Sequence, residues 1–154
     1  MVAVAEHPAV DPDVDFHDPR QRAELTPHSW PVLAAISAGG GLGGLARYGL
    51  GEAFPWRPGA FPWSTFAVNV SGCLLIGALM VLITRRWPDA KLLRPFAGVG
   101  LLGGYTTFST YVLDIRNTVA AGRPGVALLY LGGTLVAAVT AVWAGMAITG
   151  RLLR

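Results

Sequence analysis

Apolar residues gather along this chain in four long stretches, roughly Trp30–Leu50, Phe61–Ile83, Phe96–Leu113 and Val126–Ile148, with polar and proline-rich links between them. Each approaches the length, about 20 mostly apolar residues, that a helix needs to cross the hydrocarbon core of a bilayer. The pattern predicts four membrane-spanning helices. The first link, GEAFPWRPGAFPW, carries Pro55, Pro58 and Pro62 beside Trp56 and Trp63 and suits a turn at the membrane–water boundary with aromatic anchors; TRRWPDAKLLRP and RNTVAAGRPG are the other two.

Residues 1–28 show neither a helical nor a strand period. Six of the nine acids and all three histidines lie before Trp30, so this segment is expected to be a solvated, disordered acidic tail, with the four-span domain occupying residues 29–154. It is not expected to be a signal peptide, which would begin with positive charge followed by an apolar run of about 7–15 residues.

Composition sharpens the membrane reading. The 154 residues are 53% apolar and 14% charged, against about 25% charged in ordinary soluble domains, and the mean hydropathy is +0.49. The net charge of +3 comes from arginines set mainly at the ends of the apolar runs, as membrane-flanking charges are, which speaks against nucleic-acid binding. A single cysteine, Cys73, excludes an internal disulfide, and no histidine follows His28 to build a zinc or haem site.

Four spans put the tail, the second link and the C-terminus on one side. Eight basic residues fall there (Arg20, Arg22, Arg85, Arg86, Lys91, Arg94, Arg151, Arg154), against four (Arg47, Arg57, Arg116, Arg123) on the other. The positive-inside rule then places both termini in the cytoplasm.

The third stretch departs from the others. GLLGGYTTFSTYVLD, Gly100 to Asp114, holds Thr106, Thr107, Ser109 and Thr110 among three glycines and three aromatic rings. A single Ser or Thr in a membrane helix commonly bonds back to the carbonyl one turn earlier. Four within five positions, beside Asn69 in the second span and Tyr130 in the fourth, instead suggest a polar path, with Thr65 and Asn69 on one stripe and Tyr105 and Phe108 on one face by their spacing. Glycine weakens a helix interior by about 1 kcal/mol, and a break frees carbonyls that lipid cannot satisfy, so Gly100, Gly103 and Gly104 point to a broken third helix with an ion site. No carboxylate lies securely mid-membrane, since Glu52 follows the first span and Asp114 ends the third. Hydroxyls, a carboxamide and ring edges suit a passing anion better than a proton relay. In the first span, Gly39/Gly43 and Gly40/Gly44 offer close-packing faces, either within the bundle or towards a second copy.

Three of these segments together resemble the Fluc fluoride-channel family, also called CrcB, over about Gly39 to Ile148. GGLARY (Gly43–Tyr48) is similar to the family's Gly-Ala-x-x-Arg-Tyr, with Gly44 for the alanine. STFAVNVSG (Ser64–Gly72) is similar to Gly-Thr-Leu-x-Val-Asn-x-x-Gly, with Ser64 for the first glycine, and GLLGGYTTFST (Gly100–Thr110) is the most specific of the three. The resemblance implies an all-α integral membrane four-helix bundle with a broken third helix, assembling as an antiparallel dual-topology dimer in the cell (plasma) membrane. It also implies a passive, non-enzymatic channel for fluoride efflux that confers fluoride resistance.

By the same resemblance Phe108 and Asn69 contact fluoride, and Tyr105 stands where the family usually has its other phenylalanine. Thr107, Ser109 and Tyr130 form a hydroxyl track, Arg47 lies near the aqueous entrance, and backbone carbonyls of Gly100 and Gly103 hold a structural Na⁺ at the dimer centre. The partner is a second channel subunit. Because eight basic residues against four is not balanced, a preferred topology is expected here, with the partner either a second copy or an oppositely inserted paralogue.

Three other classes compete. A small four-helix multidrug-type exporter of organic cations needs a buried acid in the first span, where only Arg47 is charged. A membrane enzyme needs a Ser/His/Asp, Cys/His or paired-carboxylate set, and none can be assembled after residue 30. A purely structural subunit would carry no ion flux.

Overall fold

The computed structural model describes residues 29–153; the tail expected at residues 1–28 lies outside them, as does Arg154. The described residues are helical, with no strand among them. The elements are α1 (Ser29–Ala53), α2 (Trp63–Arg86), α3 (Arg94–Leu102, π-wound), α4 (Gly103–Tyr105), α5 (Ser109–Ala120) and α6 (Pro124–Leu152). The third predicted span is thus broken, running through α3 and α4, an interruption at residues 106–108, and α5. Each helix outlasts its apolar run by a few residues, because backbone hydrogen bonding continues into the boundary region after apolarity ends.

Of the four expected spans, α2 and α6 are continuous helices long and apolar enough to cross a membrane, about 36 and 44 Å at 1.5 Å per residue. At 25 residues α1 is long enough, but its glycines dilute its apolarity; the third crossing falls short because it is cut in two. Ends segregate as the links require. Arg85 Nη1 donates to the Gly150 carbonyl (3.1 Å), joining the last turns of α2 and α6, while Gly59 in the first link lies beside Ala121 and Arg123 in the third. There Gly122 adopts φ +73°, a left-handed turn that lets α5 stop and Pro124 start α6.

Two helix pairs make the bundle, α2 along α6 and α1 along α3–α4. Both rest on backbone touching backbone. A Cβ on Gly145 would collide with the Leu74 carbonyl and one on Gly77 with that of Val142; likewise Gly39 faces Phe96, Gly43 faces Leu101 and Gly104 faces Gly40. Of the glycine pairs in the first span, Gly39, Gly40 and Gly43 are therefore spent inside the chain's own bundle, and Gly44 meets open space. With no hydrophobic drive between helices in lipid, such approach supplies the van der Waals contact that holds them.

The interior is polar and the exterior apolar. Thr65, Thr107, Asp114, Thr118, Thr134 and Thr149 are buried among a short list of apolar side chains headed by Val68 and Tyr130, whereas Leu128, Val136, Val139 and Trp143 stand 64–69% exposed along α6. In water such an exterior would aggregate; it is the surface of a protein solvated by lipid.

Gly43→Ala is expected to lower stability by about 1–3 kcal/mol, since the new methyl drives into the Leu101 carbonyl. Gly49→Ala, with nothing within 4 Å, should instead raise it by up to about 1 kcal/mol, since alanine is the better helix former. Thermal unfolding of the two variants in detergent micelles reads the difference.

Candidate functional site

The site is the break in the third crossing. At Thr106 the backbone turns extended (φ −76°, ψ 159°), and helical geometry returns at Phe108 (φ −90°, ψ −35°). Thr107 between them has lost its helical partners and finds Asn69 instead. Asn69 Nδ2 donates to the Thr107 carbonyl and the Thr107 N–H donates to Asn69 Oδ1, both at 2.9 Å. A carboxamide suits this role because it carries a donor and an acceptor side by side, as a peptide bond does. One N–H of Asn69 is left over.

The neighbouring hydroxyls settle into defined bonds. Thr107 Oγ1 accepts the Thr110 N–H (3.2 Å) and donates to Thr110 Oγ1 (3.1 Å), with Ser109 Oγ 3.3 Å away. This restarts helix α5 and leaves the Thr110 proton free. Thr106 bonds back to the Leu102 carbonyl (2.9 Å), the ordinary outcome for a membrane threonine. Arg47, expected near an entrance, reaches inward from α1 with Nη1 3.5 Å from the Thr106 carbonyl.

Two cavities meet at the break, sharing Thr107. One, of about 300 Å³, is lined by Asn69, Cys73, Thr107, Phe108, Tyr111 and Thr134 among others and contains no charged residue. The second, of about 440 Å³, opens between α1 and α2 and is lined by Arg47, Glu52, Ser64, Thr65, Thr110 and Asp114 among others.

Not every expected residue comes to these cavities. Asn69, Phe108 and Thr107 line the first, Arg47 lines the second, and Ser109 reaches Thr107. Tyr105 lies elsewhere. Its hydroxyl is 2.9 Å from Ser71 Oγ, and because Ser71 gives its proton to the Val68 carbonyl, Tyr105 is the donor. The ring beside Phe108 is Tyr111, at 6.0 Å between centroids, with its own proton committed to the Leu131 carbonyl (2.8 Å). Spacing of three was the right signal applied across the wrong residues. Tyr105 and Phe108 are separated by the break, where helical periodicity does not hold, whereas Phe108 and Tyr111 lie on the same restarted helix.

Tyr130 is fully buried and lines neither cavity. Its hydroxyl points at Asp114 Oδ2 (3.5 Å), which also accepts from Thr65 Oγ1 (2.7 Å), and its ring packs on Phe61 and Tyr111. Asp114, set at the end of the third span by the sequence pattern, is 7% exposed, locked between α2, α5 and α6. Its partners are hydroxyls rather than a cation. The signal was present in part, since Asp114 and Thr110 are one turn apart on α5 and face one side.

Gly100 and Gly103 differ as carbonyl donors to an ion. The Thr107 N–H that a continuous helix would aim at the Gly103 carbonyl goes to Asn69, so that oxygen has lost its helical donor. The Gly100 carbonyl already accepts the Gly103 N–H, leaving one lone pair.

Comparison with known proteins decides the family. The pattern that defines the CrcB-like proteins (camphor resistance, CrcB) matches residues 34–146. This chain belongs to the CrcB family. Among its relatives in that family is the fluoride-specific ion channel FluC 2 of Nocardia farcinica, 54% identical over 123 residues that make up 80% of this chain and 88% of that one. FluC 2 of Thermobifida fusca is 53% identical over 81% and 93% of the two chains, and FluC 2 of Streptomyces avermitilis 49% identical over 81% and 79%. All of the residues at the break lie within the matched CrcB region.

Asp114→Ala removes the acceptor of two buried hydroxyls and is expected to cost about 1–3 kcal/mol of stability. Asp114→Asn, which keeps an acceptor oxygen, should retain most of it. Thermal midpoints measured side by side test this.

Proposed function

We propose that this chain is a subunit of a passive fluoride channel that lets the ion leave the cell across the plasma (inner) membrane and so confers fluoride resistance. The observation that carries the reading is the uncharged donor set at the break of a CrcB-family chain: a spare Asn69 N–H, the Phe108 and Tyr111 ring edges, and the free Thr110 proton. Fluoride is small and tightly hydrated, and it enters a pore only if pore groups replace the water it loses. Ring edges and amide protons offer partial positive charge without a full cation, which would hold the ion too tightly. Arg47, in the adjoining wider cavity, supplies a full charge where water still screens it.

Within this reading Asn69, Phe108, Tyr111, Thr107 and Ser109 face the ion. Tyr105 and Tyr130 act through their neighbours, Ser71 and Asp114. One feature favours the competing exporter of organic cations, the buried carboxylate of Asp114. That carboxylate is occupied by Thr65 and Tyr130, and the helix where the exporter needs its acid carries Arg47.

The assembly is proposed to be an antiparallel dimer, with termini preferentially cytoplasmic and an oppositely inserted paralogue as the partner. Relatives numbered FluC 2 and FluC 3 occur together in Streptomyces avermitilis, at 49% and 48% identity, which supports pairing between paralogues. A structural Na⁺ at the dimer centre fits the Gly103 carbonyl, which has lost its helical donor, better than that of Gly100. When bound there it would neutralise carbonyl charge that lipid cannot. Gly103 is also exposed at the subunit surface, whereas Gly100 is buried.

Purified protein in liposomes loaded with fluoride, followed by a fluoride electrode, tests the function. Phe108→Ile and Asn69→Ala should each lower efflux about tenfold or more, the rate equivalent of one lost interaction of about 1.4 kcal/mol, while Tyr105→Phe should leave it within about twofold. Unchanged flux in the first two would place the pathway elsewhere. For the ion, protein prepared without sodium should gain thermal stability when Na⁺ but not K⁺ is added; equal response to both would remove the site.

A further inference from the structure

Away from the break, α2 and α6 end on the same side of the bundle, at Arg86 and Leu152. Between their last turns lies a cavity of about 250 Å³ lined by Arg85, Met146, Ala147, Gly150 and Arg151. Two of these lining residues are arginines and none is acidic. Arginine near a helix C-terminus ordinarily offsets the dipole and caps the last carbonyls, and one N–H of Arg85 does so by donating to the Gly150 carbonyl (3.1 Å). That role leaves charge over. Two guanidiniums carry two full charges, against about half a negative charge at each helix end. The bond to Gly150 uses one of the five N–H groups of Arg85 and anchors the rest of its planar fork. An anchored guanidinium from one helix, with a second lining the same cavity from the next, is suited to an oxyanion.

We propose that this cavity holds the phosphate of an anionic phospholipid. What selects a lipid over a free anion is the surface that leads away from the arginines. Val139, Trp143, Ala147 and Arg151 follow one another at four-residue spacing and form one ridge of α6, and Val139 and Trp143 are 64% and 66% exposed. At 1.5 Å per residue Trp143 lies about 12 Å along the helix from Arg151, which is acyl-chain depth for a headgroup held at the arginine. Met146, exposed at the mouth of the cavity, gives the start of the chain an adaptable apolar contact. A phosphate diester thus sets its oxygens among the guanidiniums while its chains continue along the ridge. A zwitterionic headgroup would bring an ammonium into the same cationic cavity, so the lipid is of the phosphatidylglycerol class, whose headgroup adds hydroxyls and no positive charge. Basic pockets between membrane helices bind anionic headgroups by this chemistry.

The inference needs only a chain that sits in a membrane and is independent of the fluoride pathway. Purified full-length protein in detergent micelles is titrated with phosphatidylglycerol, with phosphatidylcholine of the same acyl chains and with inorganic phosphate. Native mass spectrometry counts bound lipid, and the thermal midpoint is followed in each titration. Phosphatidylglycerol should be retained and should raise the midpoint, whereas phosphatidylcholine and phosphate should leave it unchanged. Arg151→Gln keeps the bond from Arg85 to Gly150 and should weaken retention about tenfold or more, the effect of losing a charge-assisted hydrogen bond. Arg86→Gln, next to the cavity but outside its lining, should stay within about twofold of the wild type. Undiminished retention in Arg151→Gln would overturn the site, and equal weakening by both variants would replace it with diffuse attraction to a basic helix end. Equal retention of the two lipids would overturn recognition of charge, and a midpoint raised by phosphate alone would overturn the lipid in favour of a free anion.

Discussion

A backbone that is neither helix nor sheet can persist at membrane depth only if something replaces the hydrogen bonds it gave up. Here that something is Asn69. Its carboxamide meets the Thr107 N–H and C=O at 2.9 Å each, which ends the run begun in α3 and fixes where α5 restarts. Without it the break would leave two orphaned peptide groups in an apolar surrounding, and a continuous helix would carry Phe108 and Tyr111 elsewhere. The cavities, the ring pair and the diverted Gly103 carbonyl all follow from this one clamp.

The rest of the site is decided by where each proton goes. A hydroxyl has one to give. Thr65 and Tyr130 give theirs to Asp114, Tyr111 to Leu131, Thr106 to Leu102, and Tyr105 to Ser71. Their oxygens shape the interior, but they offer an anion nothing in these orientations. What remains for an ion on the proposed path is a short set: the second Asn69 N–H, the free Thr110 proton and the ring edges. A polar membrane interior is thus mostly scaffolding, with only a few donors left over for function.

Much of this was legible in sequence, and the gaps have physical causes. Four apolar runs and proline-marked links gave the helical order, and a break was expected in the third span at Gly100–Gly104; those residues stay helical because they pack on the first helix, and the break falls just after them, at residues 106–108. Asn69 and the hydroxyls of the third span stood out because a carboxamide and clustered hydroxyls are costly in lipid, whereas the role of Phe108 came from the family resemblance. Tyr105 was placed on one face with Phe108 because counting by turns assumes an unbroken helix; the extended Thr106 resets the count, and the ring beside Phe108 is Tyr111. Tyr130 was found as a polar residue, but its orientation depends on Asp114, and nothing local to either residue announces a contact 16 positions apart. The close approach of α1 to α3 was visible as small-residue spacing, although the same spacing fits contact with a second subunit equally well; only the tertiary arrangement assigns Gly39, Gly40 and Gly43 to the interior.

Asp114 sharpens the logic of the proposed pathway. An ionised carboxylate near an anion's route opposes it, by about 3 kcal/mol at 6 Å with an effective dielectric of 20, so its presence needs a compensating arrangement. The fold provides one. Asp114 receives the protons of Thr65 and Tyr130, spreading its charge over hydroxyls that face away from the smaller cavity, while Arg47 lines the same outer cavity from α1. On the proposed reading an ion arriving there meets a full positive charge first and then a region where that attraction is partly cancelled, which keeps it from settling beside Arg47. Conduction requires binding strong enough to strip water and weak enough to release the ion. On the proposed reading the pairing of a half-buried arginine with a buried, hydroxyl-bound acid meets both requirements within one cavity, and Thr107, shared by both cavities, is where the ion passes from charged groups to ring edges.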